Sequence, residues 1–435
     1  MTAASAPRLM IPFDGPVDAV VSVPGSKSFT NRALVCAALA RGESTLVGVL
    51  DSDDTAAMFG CLDALGIVVA HDPVLHRAVV HGSGGGSGQP AATLDIRQSG
   101  TTARFVTPMA ALGHGRFTID GHPQMRARPM DDLIRALMVL GVDVTSSDGG
   151  RLPLRIDAHG VQGGMVTVSG TASSQFLSGL LLSAPCYVGG LVVDVEGGLV
   201  SKPYVDMTIS TMRAFGAVIE SRGHAWFRVE PTGYAATDYR IEPDASAASY
   251  FFAAAAITGG HVRIEGLGCE ALQGDLHFVD ALEAMGCAVE RGTEAISVQG
   301  PGQLRGIDVD MRHCSDTAQT LAAVAVFADS PTTVTGVGFI RRKETDRIAA
   351  VVRELTRCGI LAIEGAEGFV VHPGTPSPAA IETYDDHRMA MSFALLGLRA
   401  PGIEIVNPGC VAKTFPDYFE VLETLRPSKL AGAHR

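Results

Sequence analysis

Cations and small polar residues gather at seven places along the chain, each where a helix or strand is expected to begin or end. The first is Pro24-Gly25-Ser26-Lys27-Ser28-Phe29-Thr30-Asn31-Arg32, leading into an expected helix over residues 33–40. Gly25 and Ser26 stand where the free N–H groups of a helix start point outward, and such an end attracts anions. Lys27 adds a full charge there, and Arg32 lies one turn after Ser28 on the same face. An ordinary capped surface helix would carry the same residues. The second cluster, Gln98-Ser99-Gly100-Thr101-Thr102-Ala103-Arg104, reads as another nest of backbone donors at a helix start. The third, Arg126-Ala127-Arg128-Pro129, and the fourth, Ser173-Ser174-Gln175, also precede apolar helices, and simple capping would explain each alone.

The fifth cluster is Arg341-Arg342-Lys343-Glu344-Thr345-Asp346-Arg347. Lys343 and Arg347 are four apart, so two cations share a helix face, which costs a few tenths of a kcal/mol unless an anion lies between them. A solvated charge run is the bland alternative, with Asp346 offsetting part of the repulsion. The sixth is Asp385-Asp386-His387-Arg388, where an arginine beside two carboxylates and one histidine argues against a metal. The seventh is Lys413, between a strand and a helix. Seven such clusters suit small substrates that carry several phosphate and carboxylate groups, because guanidinium forks fit both anions.

The elements that must position these clusters repeat. An apolar helical stretch ends in a large residue, then Gly, then an alternating apolar run, at Leu65-Gly66-Ile67, Leu140-Gly141-Val142, Phe215-Gly216-Ala217, Met285-Gly286-Cys287 and Cys358-Gly359-Ile360. The glycines lie 75, 75, 70 and 73 residues apart. Each suits a left-handed helix cap followed by a strand. A period this long implies small α/β units rather than single stacking turns. A sixth helix over 417–425 lacks the Gly and strand, while residues 17–23 read as a strand with no helix before it. The N-terminal strand is therefore expected to complete the last unit. The chain would start in one lobe, build the other, and return near Tyr239 to Asp244. That gives residues 24–240 as a first lobe of three units, and 1–23 plus 241–435 as a second, with a cleft between. Six units in one open array is the alternative, but solenoids repeat at shorter periods.

Bulk properties narrow the class. A chain of 435 residues suggests two or three domains, and 46% hydrophobic residues are ample for their cores. A formal net charge of −12 argues against a nucleic-acid or anionic-membrane partner, since both need a basic surface. The stretch Met1 to Gly15 holds Pro7, Pro12 and Asp14 and no long apolar run, so no secretory signal is expected there. The apolar run Tyr250 to Ile257 is too short to span a bilayer. Eight cysteines without a CxxC pair point to buried thiols in a reducing cytoplasm. Thirteen histidines show no HxxxH or HExxH spacing, so zinc is not expected. The Gly/Ser run 82–88 lacks the GK[ST] ending of a phosphate loop and reads as a flexible loop between strands.

The segments PGSKSFTNRALV, SGTTAR, RARPM, ASSQFLSGLLL, SKPYVDMT, RRKETDRI, YDDHRMAM and AKTFPDYF, spread in order from Pro24 to Phe419, together resemble the 5-enolpyruvylshikimate-3-phosphate synthase family. That resemblance implies an α/β fold of two lobes, each of three βαβαββ units, an inside-out α/β barrel. It implies transfer of the enolpyruvyl group of phosphoenolpyruvate to the 5-hydroxyl of shikimate 3-phosphate, without cofactor or metal, by a monomer. Carried over by position, Lys27, Ser28, Arg32, Ser173, Ser174, Gln175, Ser201, Tyr204, Asp316 and Lys343 would meet shikimate 3-phosphate. Lys27, Gly100, Arg128, Gln175, Arg347, Arg388 and Lys413 would meet phosphoenolpyruvate. Asp316 matches the acceptor of the 5-hydroxyl proton. We assign the proton for the methylene carbon to Glu344, with Lys27 assisting. An acid that donates near neutral pH needs its pKa raised, by burial or by the substrates' own negative charge.

Two departures stand out. Gln98-Ser99-Gly100 replaces the family's common Asn-Ala-Gly, and Phe339 stands four residues before Lys343 where an asparagine is frequent. The first bears on the fit of glyphosate, which the family binds at the phosphoenolpyruvate position. A related family transfers the same group to UDP-N-acetylglucosamine, but it carries a loop cysteine and a Lys-Asn pair. This chain has Lys27-Ser28, and no cysteine between Gly121 and Pro129. A non-catalytic anion-binding relative would need neither Asp316 nor Glu344. Cations on both lobes are expected to repel one another until bound anions reverse the sign and close the cleft.

Overall fold

The computed structural model describes residues 5–171 and 173–427. The chain forms two compact units. One runs from Pro24 to Glu242, and the other comprises residues before Pro24 and after Glu242. Ile241 and Glu242, expected in the second lobe, stay with the first unit. Ile241 N–H donates to Val47 O at 2.8 Å, and Glu242 O accepts from Ser26 N–H at 2.7 Å.

Within the first unit one plan repeats. Ala91–Asp95 pairs in parallel with His114–Asp120, and the helix Gly100–Ala110 makes the crossover that parallel neighbours require. The helix Asp131–Val139 then leads to Asp143–Asp148 and Arg151–His159, which pair antiparallel. Gly164–Ser169 and Leu191–Glu196 repeat the plan around the helices Ser174–Ser183 and Lys202–Ala214, ending on Ile219–Arg222 and Trp226–Val229. The remaining sheet takes its parallel strands, Tyr234–Ala235 and Tyr239–Arg240, from the end of the unit and sets them beside Ala40–Val47.

The second unit also holds three sheets, and the N-terminal residues enter two of them. Asp18–Val21 lies parallel to His261–Glu265 and so opens the sheet that also contains Ala288–Arg291 and Ala295–Gln299. It does not complete the last unit, as the sequence suggested. That task falls to Arg8–Leu9, which pairs antiparallel with Ile403–Ile405. A two-residue strand is too short to show alternation, so the longer stretch drew the assignment.

The five spaced glycines all adopt positive φ, from 75° at Gly359 to 105° at Gly286, and a strand follows each within a few residues. L residues with a Cβ pay for this region and glycine does not, which is why the helix–strand joint keeps glycine.

Each unit has its own apolar core. In the first, the helices Lys27–Leu39, Gly100–Ala110 and Ser174–Ser183 are buried almost all round, while Asp53–Ala64, Asp131–Val139 and Lys202–Ala214 bury one face. In the second, Ala245–Thr258, Ala318–Ala325 and His387–Ala394 are the fully buried helices. A helix that is apolar on every side must lie inside. Its sides then cannot hold a polar substrate, and its first turn is the part left to do so. Lys27, Gly100 and Ser174 each open an inner helix. Arg388 is the second residue of another, and Asp316 sits in the short 3₁₀ turn Ser315–Thr317 just before a further one. No helix of the described residues is long and apolar enough to cross a membrane.

Candidate active site

In the first unit, the helix starts are tied into a ring. Lys27 Nζ lies 3.2 Å from Asp54 Oδ2, at the start of the Asp53–Ala64 helix. The Asp54 carbonyl accepts from Thr102 Oγ1 at 3.3 Å. Thr101 Oγ1 beside it accepts from Gln175 Nε2 at 3.2 Å. Ser178, one turn later, accepts from Thr208 Oγ1 at 2.9 Å. Arg32 closes the ring, donating from Nε to Thr208 Oγ1 at 2.8 Å, from Nη2 to Tyr204 O at 2.9 Å, and from Nη1 to Ser28 O at 2.8 Å. Ser173 caps the Ser174–Ser183 helix by accepting from Gln175 N–H at 3.3 Å. Ser201 takes a left-handed conformation, φ 53°, to start the Lys202–Ala214 helix.

Arg32 is more deeply placed than its motif suggests. It is 1% exposed, its described contacts are neutral, and its guanidinium lies 5.3 Å from the Phe105 ring centre. Burial without a carboxylate partner pulls its pKa down to about 10, so it stays charged at neutral pH. Ser28, Ser173, Gln175 and Tyr204 are half-buried and Ser174 is buried.

The third cluster divides. Arg126 forks onto Asp120 with bonds of 2.8 and 2.6 Å. Arg128 turns instead toward Gly100, where a built Cβ would lie 2.6 Å from Arg128 Nη1 and 2.5 Å from Arg104 Nη1. Glycine here therefore lets two guanidinium groups crowd a helix start. Gly100→Ala should displace them and weaken a ligand that fills this space more than one that leaves it open. With glyphosate as the probe, its Ki is expected to rise about tenfold or more, with a smaller rise in KM for phosphoenolpyruvate. Steady-state inhibition kinetics read both, and equal weakening would remove the steric argument.

In the second unit, charges interlock around Arg347, which is 1% exposed. Its Nε donates to Asp386 Oδ2 at 2.8 Å, its Nη2 to Glu344 Oε2 at 2.8 Å, and its Nη1 to Asp316 Oδ1 at 3.1 Å. Burial acts to lower the Arg347 pKa, but Asp386, Glu344 and Asp316 outweigh it and the net direction is upward. Arg388 Nη2 donates to Asp316 Oδ2 at 2.8 Å and to Ser246 Oγ at 3.3 Å. Lys343 Nζ stands 4.0 Å from Asp316 Oδ1, and Lys413 is 4% exposed at the end of the turn Pro408–Lys413. One carboxylate, Asp316, thus meets Lys343, Arg347 and Arg388 together.

Asp386 is wholly buried and holds two nitrogens of Arg347 as well as Arg388 N–H. Removing one partner of a buried ion pair strands the other. Asp386→Ala is therefore expected to cost about 3–5 kcal/mol, read by denaturant unfolding. A loss below about 1 kcal/mol would mean that Asp316 and Glu344 hold Arg347 unaided.

Sequence reasoning missed Asp54, Ser246 and Asp275. Asp54 belongs to the run Asp51-Ser52-Asp53-Asp54, which reads as an N-terminal cap, and no local signal shows which carboxylate turns toward Lys27. Ser246 and Asp275 lie outside any cationic cluster, 29 residues apart, yet they hydrogen-bond. All eight cysteines are free thiols, and burial pushes those of Cys36, Cys61 and Cys287 up to about 12.

The chain as a whole is similar to known proteins. Residues 13–422 match the family model described as EPSP synthase (3-phosphoshikimate 1-carboxyvinyltransferase). The chain belongs to the EPSP synthase family.

Within that family, it is 48% identical over 406 residues to a 3-phosphoshikimate 1-carboxyvinyltransferase of Trichormus variabilis, covering 93% of this chain and 95% of the relative. A relative of the same name from Nostoc punctiforme is 47% identical with the same coverage. The solved EPSP synthase of Acinetobacter baumannii superposes with a TM-score of 0.82 at 26% identity, covering 96% of this chain and 98% of that one. These matches do not favour transfer to UDP-N-acetylglucosamine. The two departures from the EPSP synthase pattern have structural roles here. Ser99 caps its helix, accepting from Thr102 N–H at 3.3 Å, and Phe339 packs against the core of its unit.

Proposed function

We propose that this EPSP synthase family member transfers the enolpyruvyl group of phosphoenolpyruvate to the 5-hydroxyl of shikimate 3-phosphate, with Asp316 as base and Glu344 as acid. The observation that carries the assignment of roles is the Asp316 carboxylate, 3.1 Å from Arg347 and 2.8 Å from Arg388. Those cations hold Asp316 ionised and able to accept a proton, and their hold on it weakens as the substrates' own anions engage them.

In the addition step the 5-hydroxyl gives its proton to Asp316, and its oxygen bonds to C2 of phosphoenolpyruvate. C3 takes a proton from Glu344, giving a tetrahedral adduct. In elimination C3 returns a proton to Glu344, the carbon–carbon double bond re-forms, the C2–O bond to phosphate breaks, and the departing phosphate oxygen takes up the proton held on Asp316. The products are 5-enolpyruvylshikimate 3-phosphate and inorganic phosphate. Lys27, Ser28, Ser173, Ser174, Gln175, Ser201, Tyr204 and Lys343 are proposed to hold shikimate 3-phosphate. Arg32 is 1% exposed and serves it by holding the Ser28 and Tyr204 carbonyls. Lys27, Gly100, Arg128, Gln175, Arg347, Arg388 and Lys413 are proposed to hold phosphoenolpyruvate, and Lys27 to assist Glu344. Fixed cations stabilise the charge that builds in the adduct, so no cofactor is called for.

A coupled phosphate-release assay tests the reading. Phosphate should appear only when both substrates are present, in step with 5-enolpyruvylshikimate 3-phosphate. Binding of both without release would make this chain the non-catalytic anion binder instead.

A further inference from the structure

Behind Arg388 lies a second acid that these roles leave unused. Asp275 is 5% exposed and accepts a hydrogen bond from the Ser246 hydroxyl. Ser246 Oγ itself accepts from Arg388 Nη2 at 3.3 Å, and the same nitrogen donates to Asp316 Oδ2 at 2.8 Å. Arg388 is thus strung between two carboxylates, one directly and one through a hydroxyl. A hydroxyl that accepts on one side and donates on the other polarises such a line and strengthens both bonds.

The line is anchored. The Gln273 side chain accepts from Ala245 N–H at 3.0 Å and donates to Pro243 O at 2.7 Å. This fastens the Gly274–His277 turn to the start of the Ala245–Thr258 helix, on which Ser246 lies. The ionisable groups facing Asp275 come from three other elements. They are Asp244 at that helix start, Cys314 and Asp316 ahead of the Ala318–Ala325 helix, and Arg388 from the His387–Ala394 helix. Burial, and next the charge of Asp316, raise the Asp275 carboxyl to about 6, although Arg388 and Ser246 pull it down.

We propose that Asp275 is a positioning residue for enolpyruvyl transfer: through Ser246 it aims the Arg388 guanidinium, and its charge faces Asp316 beside that guanidinium. The inference rests on the reading of Asp316 as base. When Asp316 takes the hydroxyl proton it loses its charge, and Arg388 loses its direct counter-ion while it must still grip phosphoenolpyruvate. Asp275, through Ser246, supplies a negative charge that remains along that line.

The test uses the full chain and the pH profile of kcat/KM for phosphoenolpyruvate. Asp275→Asn keeps the shape and removes the charge. It should lower kcat/KM about tenfold and move the acid limb about one pH unit lower, because the Asp275 carboxyl, raised to about 6 in the native chain, no longer titrates. Asp275→Glu restores the charge and should bring the limb back toward its original position. Ser246→Ala keeps the charge and cuts the line, so KM for phosphoenolpyruvate should rise about threefold or more with the limb unmoved. An Asp275→Asn variant with native KM and an unmoved limb overturns the proposal, even if its rate falls, because that loss would be structural. Should Asp275→Asn fail to fold, the Ser246→Ala variant decides, and an unchanged KM overturns the proposal. Asp316→Ala separates the two readings. Retained kcat there would remove the base itself, whereas a dead Asp316→Ala beside a native-like Asp275→Asn would remove only the role of Asp275.

Discussion

Asp316→Ala is expected to lower kcat by about 10²–10⁴-fold while KM for either substrate changes far less. A base is called on as the hydroxyl proton moves, so its loss falls on the transition state rather than on binding. The surrounding frame supports that split. Without Asp316, Arg347 keeps Asp386 and Glu344, each with a bond of 2.8 Å, and Arg388 keeps Ser246 at 3.3 Å. The cations therefore stay in place, and losing a competing carboxylate leaves them more available to substrate anions. Steady-state kinetics with each substrate varied in turn measure the effect. If affinity collapses while kcat survives, Asp316 binds substrate and another group is the base. Asp316→Asn, which keeps the shape without the basicity, should be as slow as the alanine variant.

Lys27→Met is expected to abolish measurable turnover, a loss of at least about 10³-fold, and to weaken both substrates. Lys27 opens an inner helix, where its ammonium adds to the free N–H groups of the first turn. The structure adds a consequence for stability. Asp54 is 3% exposed and 3.2 Å from Lys27, so the variant removes a charge partner of a buried carboxylate. Its own position in the first turn of the Asp53–Ala64 helix offsets part of that cost. The fold should survive with a loss of about 1–3 kcal/mol. The double variant Lys27→Met/Asp54→Asn should recover most of the lost Tm and none of the turnover. Recovery of both would show that the single variant was slow only because it was unstable. Near-native kinetics in the single variant would remove Lys27 from the site.

The repeat was legible because its signals are local. A left-handed helix cap concerns one residue's φ, and Gly66, Gly141, Gly216, Gly286 and Gly359 all sit at positive φ. The inner helices were legible in part, since a run such as Ser249-Tyr250-Phe251-Phe252-Ala253 leaves no polar face to expose. The N-terminal pairing was not. Residues 17–23 show a strand's pattern, but nothing in that pattern says whether its neighbour is His261–Glu265 or Ile403–Ile405.

The candidate site divides along the same physical line. By itself the sequence determined which residue types stand at each helix start, among them Lys27, Gly100, Ser174 and Arg388, because capping and charge clustering act over a single turn. Only the tertiary structure decided how those charges are shared. It buried Arg32 among neutral groups, gave Asp54 to Lys27, turned Arg128 toward Gly100 and Arg126 onto Asp120, and strung Arg388 between Asp316 and the Ser246–Asp275 pair. Those partners lie as near as six residues, for Arg126 and Asp120, and as far as 176, for Arg32 and Thr208. Coulombic attraction depends on distance in space and on burial, and neither is written in the spacing of residues along a chain.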